Sequence, residues 1–169
     1  MKTENNDQSK DLKITNYFGD PVTLRPRVEL YSVTDFMGTK LPGLAVVLDE
    51  VGESPDDLEE YAVLTVSFGE HISIKNSAYI DTNNCPFADQ LLNQGIAEPT
   101  GLSKTSGFCT YPLWEFKEDF LKEIGGETYQ EYAHAYEQYD PFRDPFDDEE
   151  SDMFEDEQSE DSGLVMGGM

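Results

Sequence analysis

Positive charge is scarce in this chain. Eleven lysines and arginines stand against 36 aspartates and glutamates, which leaves a formal charge of −25 over 169 residues. A surface of that sign repels phosphate backbones, so direct binding to DNA, RNA or anionic lipid is disfavoured, and the expected partners are basic proteins. Cysteine is equally sparse. Cys85 and Cys109 form no CxxC pair, and the opening MKTENNDQSKD has no apolar export segment. Reduced thiols are therefore expected rather than a disulfide. No apolar run approaches the ~18 residues of a membrane span, so the chain reads as cytoplasmic with no membrane contact.

Catalytic signatures are missing as well. There is no GxxxxGK[ST] loop, and His71 and His134 stand far apart without metal-site spacing. Cys109 sits mid-strand in an apolar run with no base or helix start beside it to lower its pKa. The acidic runs lack the D-x-[DN]-x-[DN]-G order of a calcium loop. YIDTNN reads as a turn of Asx side chains that cap backbone amides. Neither an enzyme nor a cofactor is expected.

Aromatics are what the chain has in quantity: ten Phe and nine Tyr. They give residues 11–139 the means to bury a core, as a single α+β domain. Residues 1–10 and 140–169 read as disordered, because neither has apolar periodicity to offset ordering entropy. From Leu12, LKITNYF alternates, Gly19–Pro21 turns the chain, and VTLRPRVELYSV resumes a strand in which Pro26 marks an edge or a bulge. A turn at 41–43 precedes LAVVLDEV, and GESPDDLEE reads as a charged loop or one helical turn. YAVLTVSF is the clearest strand, with Ala62, Leu64, Val66 and Phe68 on one face; HISI and SAYI continue the sheet. DTNNCPFADQLLNQG reads as a short helix capped by Asn84 or Cys85 and ended by Gly95. EPTG turns, SGFCTYPLWEF is a strand with an edge-type Pro112, and KEDFLKEIGG is a short helix stopped at Gly125–Gly126. In ETYQEYAHAYEQY, Tyr129, Tyr132, Tyr136 and Tyr139 form a helical stripe that packs on the sheet. The fold expected is α+β: a small antiparallel sheet, two or three short helices and a disordered acidic C-terminal tail.

The stretch AYIDTNNCPFADQLLNQGIAEPTGLSKTSGFCTYPLWEF is similar to a family of small bacterial proteins known as a domain of unknown function, number 4313. The shared pieces are the Val/Leu-rich strand, the IDTNNxP turn, the PTG link and the SGFxTYPLxxF strand. With AVLTVSF upstream, the resemblance covers residues 22–116 and leaves out the tyrosine helix and the tail. It implies no chemistry. It does imply a habitat on conjugative and other mobile elements, where proteins directed against host defence are common.

Charge is the remaining lead. Residues 140–161 hold twelve acids against Arg143 alone, and residues 11–126 hold 19 acids against eight bases. The domain is thus acidic in its own right. Asp49, Glu50, Glu53, Asp56, Asp57, Glu59 and Glu60 form a run without a base; Glu127, Glu131 and Glu137 lie on the last helix, and Asp147, Asp148, Glu149 and Glu150 in the tail. These fourteen residues are the candidate partner-binding set. They suit an inhibitor that imitates nucleic acid and fills the basic channel of a CRISPR effector or restriction enzyme. The alternative is an accessory interaction protein of a conjugative element. Its acidic tail, with the paired DPF at 140–142 and 144–146, would then serve solubility or recruitment.

Overall fold

The structure, a computed structural model, describes residues 11–54 and 56–140. Residues 1–10 and 141–169, on which disorder is expected, lie outside the described residues. All the elements fall in the unit that ends at Gln138; of the second unit, Tyr139–Met169, only Tyr139 and Asp140 are described.

The fold is α+β, with two antiparallel four-stranded sheets rather than one. In the first, β1 (Leu12–Thr15), β2 (Pro21–Thr34), β3 (Lys40–Val51) and β4 (Leu58–Val63) lie side by side in that order. The second has the order β5 (Thr65–Val66), β6 (Ser77–Ile80), β8 (Cys109–Phe116), β7 (Ala97–Ser106). Among the described residues two helices accompany them, α1 (Ala88–Leu92) and α2 (Glu118–Gln138), the latter broken at Gly126, whose φ is 52°.

The sheets part within the run that reads as one strand, Tyr61–Phe68. Leu64 donates its N–H to Val46 O at 2.9 Å and accepts from Asp81 N at 2.8 Å, so one residue serves both sheets. The expected face of Ala62, Leu64, Val66 and Phe68 therefore breaks: Leu64 and Thr65 are both buried, and the Thr65 hydroxyl accepts from Val46 N–H at 3.2 Å. HISI is not a strand either. It lies in a connecting segment pinned by Thr34 N–H to Gly69 O and His71 N–H to Thr34 O, at 3.0 and 3.2 Å.

Local chemistry explains the turns. Asn16 Oδ1 accepts from Phe18 and Asp20 N–H, each at 2.9 Å, and closes the β1–β2 turn in the region expected. Asp35 does the same for Met37 and Thr39 between β2 and β3, so the turn falls at 35–39 and not at 41–43. Pro42 and Gly43 lie inside β3, where Gly43 pairs with Tyr31 and a Cβ on it would meet the Tyr31 ring. Pro26 marks neither an edge nor a bulge: β2 lies between β1 and β3, and Pro26 pairs in register with Leu48, two residues past Leu24, where pairing with β1 ends. Pro112 likewise lies past Leu113, the last β8 residue paired with β6. EPTG is a bulge within β7, between Pro99 and Ser103, rather than a turn. Ser106 pairs with Cys109, so Gly107 and Phe108 make the two-residue β7–β8 turn instead of starting a strand. Gly107 supplies the positive φ, 63°, that the first position of such a turn needs.

α1 begins later than expected and lacks a side-chain cap at Phe87; Asn84 instead closes the preceding turn on Asp81. The helix has another task. Gln94 exchanges two hydrogen bonds with the backbone of Lys13, at 3.1 and 2.6 Å, and Gln90 does so with Thr15, at 2.7 and 3.1 Å. Two amides one helical turn apart thereby stand in for a fifth strand on the β1 edge.

One continuous core joins the layers: Leu24, Val46 and Leu48 from the first sheet, Ile80 and Phe116 from the second, Leu91 and Leu121 from the helices. The tyrosine stripe packs there, with Tyr129 and Tyr132 buried. Its hydroxyls hold the segment that joins β5 to β6. Tyr129 donates to Asn76 Oδ1 at 2.8 Å, Tyr132 accepts from Asn76 N–H at 2.9 Å, and Tyr136 donates to Ile72 O. Burial holds the Tyr132 hydroxyl protonated far above the usual tyrosine range.

Candidate functional site: an acidic hairpin and its flanking groove

Of the acidic run 49–60, residues 52–54, 56 and 57 form the charged loop expected, whereas 58–60 are strand, and none of its described residues forms a helical turn. The run makes the β3–β4 hairpin, in which Asp49 faces Glu60, Glu50 faces Glu59 and Val51 faces Leu58. The turn is closed by Gly52 N–H to Asp57 O at 2.7 Å and Asp57 N–H to Ser54 O at 2.9 Å. Two like-charged pairs therefore stand directly opposite each other, an arrangement that costs stability.

One side of the hairpin is neutralised. Arg27 on β2 donates to Asp49 at 2.8 Å, lies 3.6 Å from Glu60 and pairs with Glu29 on its own strand. The hydrogen bond to Asp49 holds the guanidinium above its already high pKa. Asp49 is only 8 % exposed and takes the role of Arg27's buried partner rather than of a surface ligand. Glu50, Glu53, Asp56, Asp57 and Glu59 are exposed and form no ion pair among the described residues. These five, with Glu60 at their margin, are what the hairpin presents.

The other predicted acids are not all gathered here. Glu127 and Glu131 are exposed on α2, which packs over β2 and β3. Glu137 pairs with Lys75 at 3.7 Å in the segment that joins β5 to β6. That segment is tied to Thr34, the end of β2 away from the hairpin. Asp147, Asp148, Glu149 and Glu150 lie outside the described residues. No group of three or more His, Cys, Asp or Glu among the described residues is placed to hold a metal ion. None of their helices is long and apolar enough to cross a membrane.

Sequence reasoning missed a groove next to the hairpin. It has a volume of about 520 Å³ and is lined by Tyr17, Tyr61, Pro86 and Phe87 together with Asn16 and Asn84. Tyr61 and Phe87 meet with ring centres 5.7 Å apart, and Tyr17 stands 95 % exposed beside Phe18. No signal in the sequence joins these residues, since they come from three separate turns and strands. Of the cysteines, Cys85 is buried under this region, its thiol against Val63 O at 3.5 Å. Burial, with the nearby Asp81 carboxylate, pushes that thiol up to about 11, the opposite of what a nucleophile requires.

No curated protein and no solved structure matches the chain. A family model matches residues 33–136. The match starts after most of β2 but extends beyond residue 116, so it takes in the hairpin, the groove's Tyr61 and Phe87, and the tyrosine helix. The chain belongs to this family, a domain of unknown function (DUF4313).

Proposed function

We propose that the protein is a non-enzymatic inhibitor whose acidic hairpin enters the nucleic-acid channel of a basic host-defence protein, a CRISPR effector or a restriction enzyme, in the cytoplasm. One observation carries this reading. Glu50, Glu53, Asp56, Asp57 and Glu59 are exposed carboxylates at the β3–β4 end of the first sheet, where residues 47–63 include no lysine or arginine. The fold gains nothing from setting Glu50 against Glu59, because like charges opposed across strands repel. A lysine- and arginine-lined channel reverses that balance, since each carboxylate then meets an opposite charge. A hairpin also holds its charges before the partner arrives, so binding pays less ordering entropy than a flexible segment would. Charge of one sign on a defined face further speeds encounter with a basic surface.

The test is inhibition by the full-length protein of a panel of purified CRISPR effectors and restriction enzymes, each titrated with its own nucleic acid. The expected result is that an inhibited nuclease loses its DNA or guide RNA as the protein binds, and that excess nucleic acid restores it. A ternary complex of nuclease, nucleic acid and inhibitor would overturn the reading.

A further inference from the structure

We infer that the groove beside the hairpin receives an arginine side chain of the partner. This rests on the function proposed above and names what that site recognises. Three features of the groove select the occupant. Its apolar lining comes from three aromatic residues, Tyr17, Tyr61 and Phe87, with Ala62 and Pro86, and no lysine or arginine lines it. Acids flank the lining residues along the chain. Glu59, which has no ion pair among the described residues, lies two residues before Tyr61, exposed Asp89 precedes Gln90 at the groove wall, and Asp81 holds Asn84 through bonds of 3.2 and 2.9 Å. Finally, the groove adjoins β4, so a chain seated against the hairpin can place a side chain in it.

The chemistry of the occupant follows. An anion is repelled by the flanking carboxylates. A purely apolar side chain gains from the rings but nothing from the surrounding negative potential. A cation gains from both, and of the two basic side chains arginine fits better. Its guanidinium is planar and weakly hydrated, so it stacks on an aromatic face while its N–H donors still reach acceptors at the rim. A lysine ammonium is a compact, strongly hydrated charge that gives up more water for the same contact. Arginine is also a main phosphate-contacting residue of nucleic-acid-binding surfaces, so a channel that takes the hairpin has one to offer.

The experiment titrates isotope-labelled full-length protein with a short arginine–glycine repeat peptide, and with the lysine and the uncharged citrulline versions of it. The arginine peptide is expected to shift Tyr17, Tyr61 and Phe87, and to bind at least about threefold more tightly than the lysine peptide. Tyr17→Ala, at a position exposed enough to leave the fold intact, is expected to weaken it roughly fivefold. Equal binding of the lysine or citrulline peptide overturns the inference. So does unchanged affinity of Tyr17→Ala, or shifts confined to the hairpin; in all these cases the proposed function stands. A nuclease inhibited equally well after charge reversal at Asp56, Asp57, Glu59 and Glu60 would instead remove the channel reading, with the peptide result unaffected.

Discussion

Asn76 shows how much a single residue can carry in this fold. It is 7 % exposed and sits at φ 70°, in the left-handed region that costs an ordinary side chain about 1–2 kcal/mol. Its side-chain oxygen, its N–H and its C=O meet Tyr129, Tyr132 and Phe116 N–H respectively. Asn76→Ala should lower unfolding free energy by about 2–4 kcal/mol, combining an orphaned Tyr129 hydroxyl with backbone strain. Asn76→Gly removes the same acceptor without the strain and should cost about 1 kcal/mol less, read by urea unfolding; equal losses would show that the backbone conformation is unimportant. The helical spacing of Tyr129, Tyr132 and Tyr136 made their packing legible. Their hydroxyl partners were not, because those lie in an irregular segment more than fifty residues away. His71, in that segment, titrates in a foreseeable direction. Burial pushes its imidazole below the ordinary 6.5, with Asp35 opposing. The fold thus favours the neutral ring. Its contribution to stability is complete above pH 6.5 and is lost as pH falls through the folded value. An NMR titration of His71 should give a midpoint below 6.5; one at or above it would contradict this.

Among the elements, the β3–β4 hairpin sets stability against the proposed function. Glu59→Lys turns an opposed like pair with Glu50 into an attractive one and should stabilise the protein by about 0.2–1 kcal/mol. The same change should weaken inhibition of the target nuclease. Thermal unfolding and inhibition measured on one preparation check both halves, and a destabilised variant would contradict the opposed-pair account. The first half of β4 escaped sequence reading because Leu58, Glu59 and Glu60 carry no apolar alternation; a charged, exposed edge strand has none to show. The β1 edge is closed differently, by Gln90 of α1 and Gln94 just past its end, whose spacing has meaning only once β1 lies alongside. The run Tyr61–Phe68 was legible as extended chain. Its division between two sheets turns on Leu64 bonding to Val46 on one side and Asp81 on the other, which no local pattern records.

At the scale of the whole molecule, the proposed partner class rests on the charge of −25 and on how that charge is distributed over the fold. The sequence made the excess of acid plain but not its arrangement. Asp49 is consumed by Arg27, and Glu137 is tied to Lys75, whereas five hairpin acids have no cation paired to them among the described residues. If those acids replace phosphates in a basic channel, binding must be strongly electrostatic and centred on the hairpin. The most direct measurement is the inhibition constant at ~50 and ~200 mM salt for three proteins. They are the full chain, the chain with Asp56, Asp57, Glu59 and Glu60 reversed to lysine, and the chain ending before Asp147. The account expects steep weakening with salt for the full chain and a larger loss from charge reversal than from tail deletion. A flat salt response, or a hairpin variant that inhibits as well as the full chain, would contradict it.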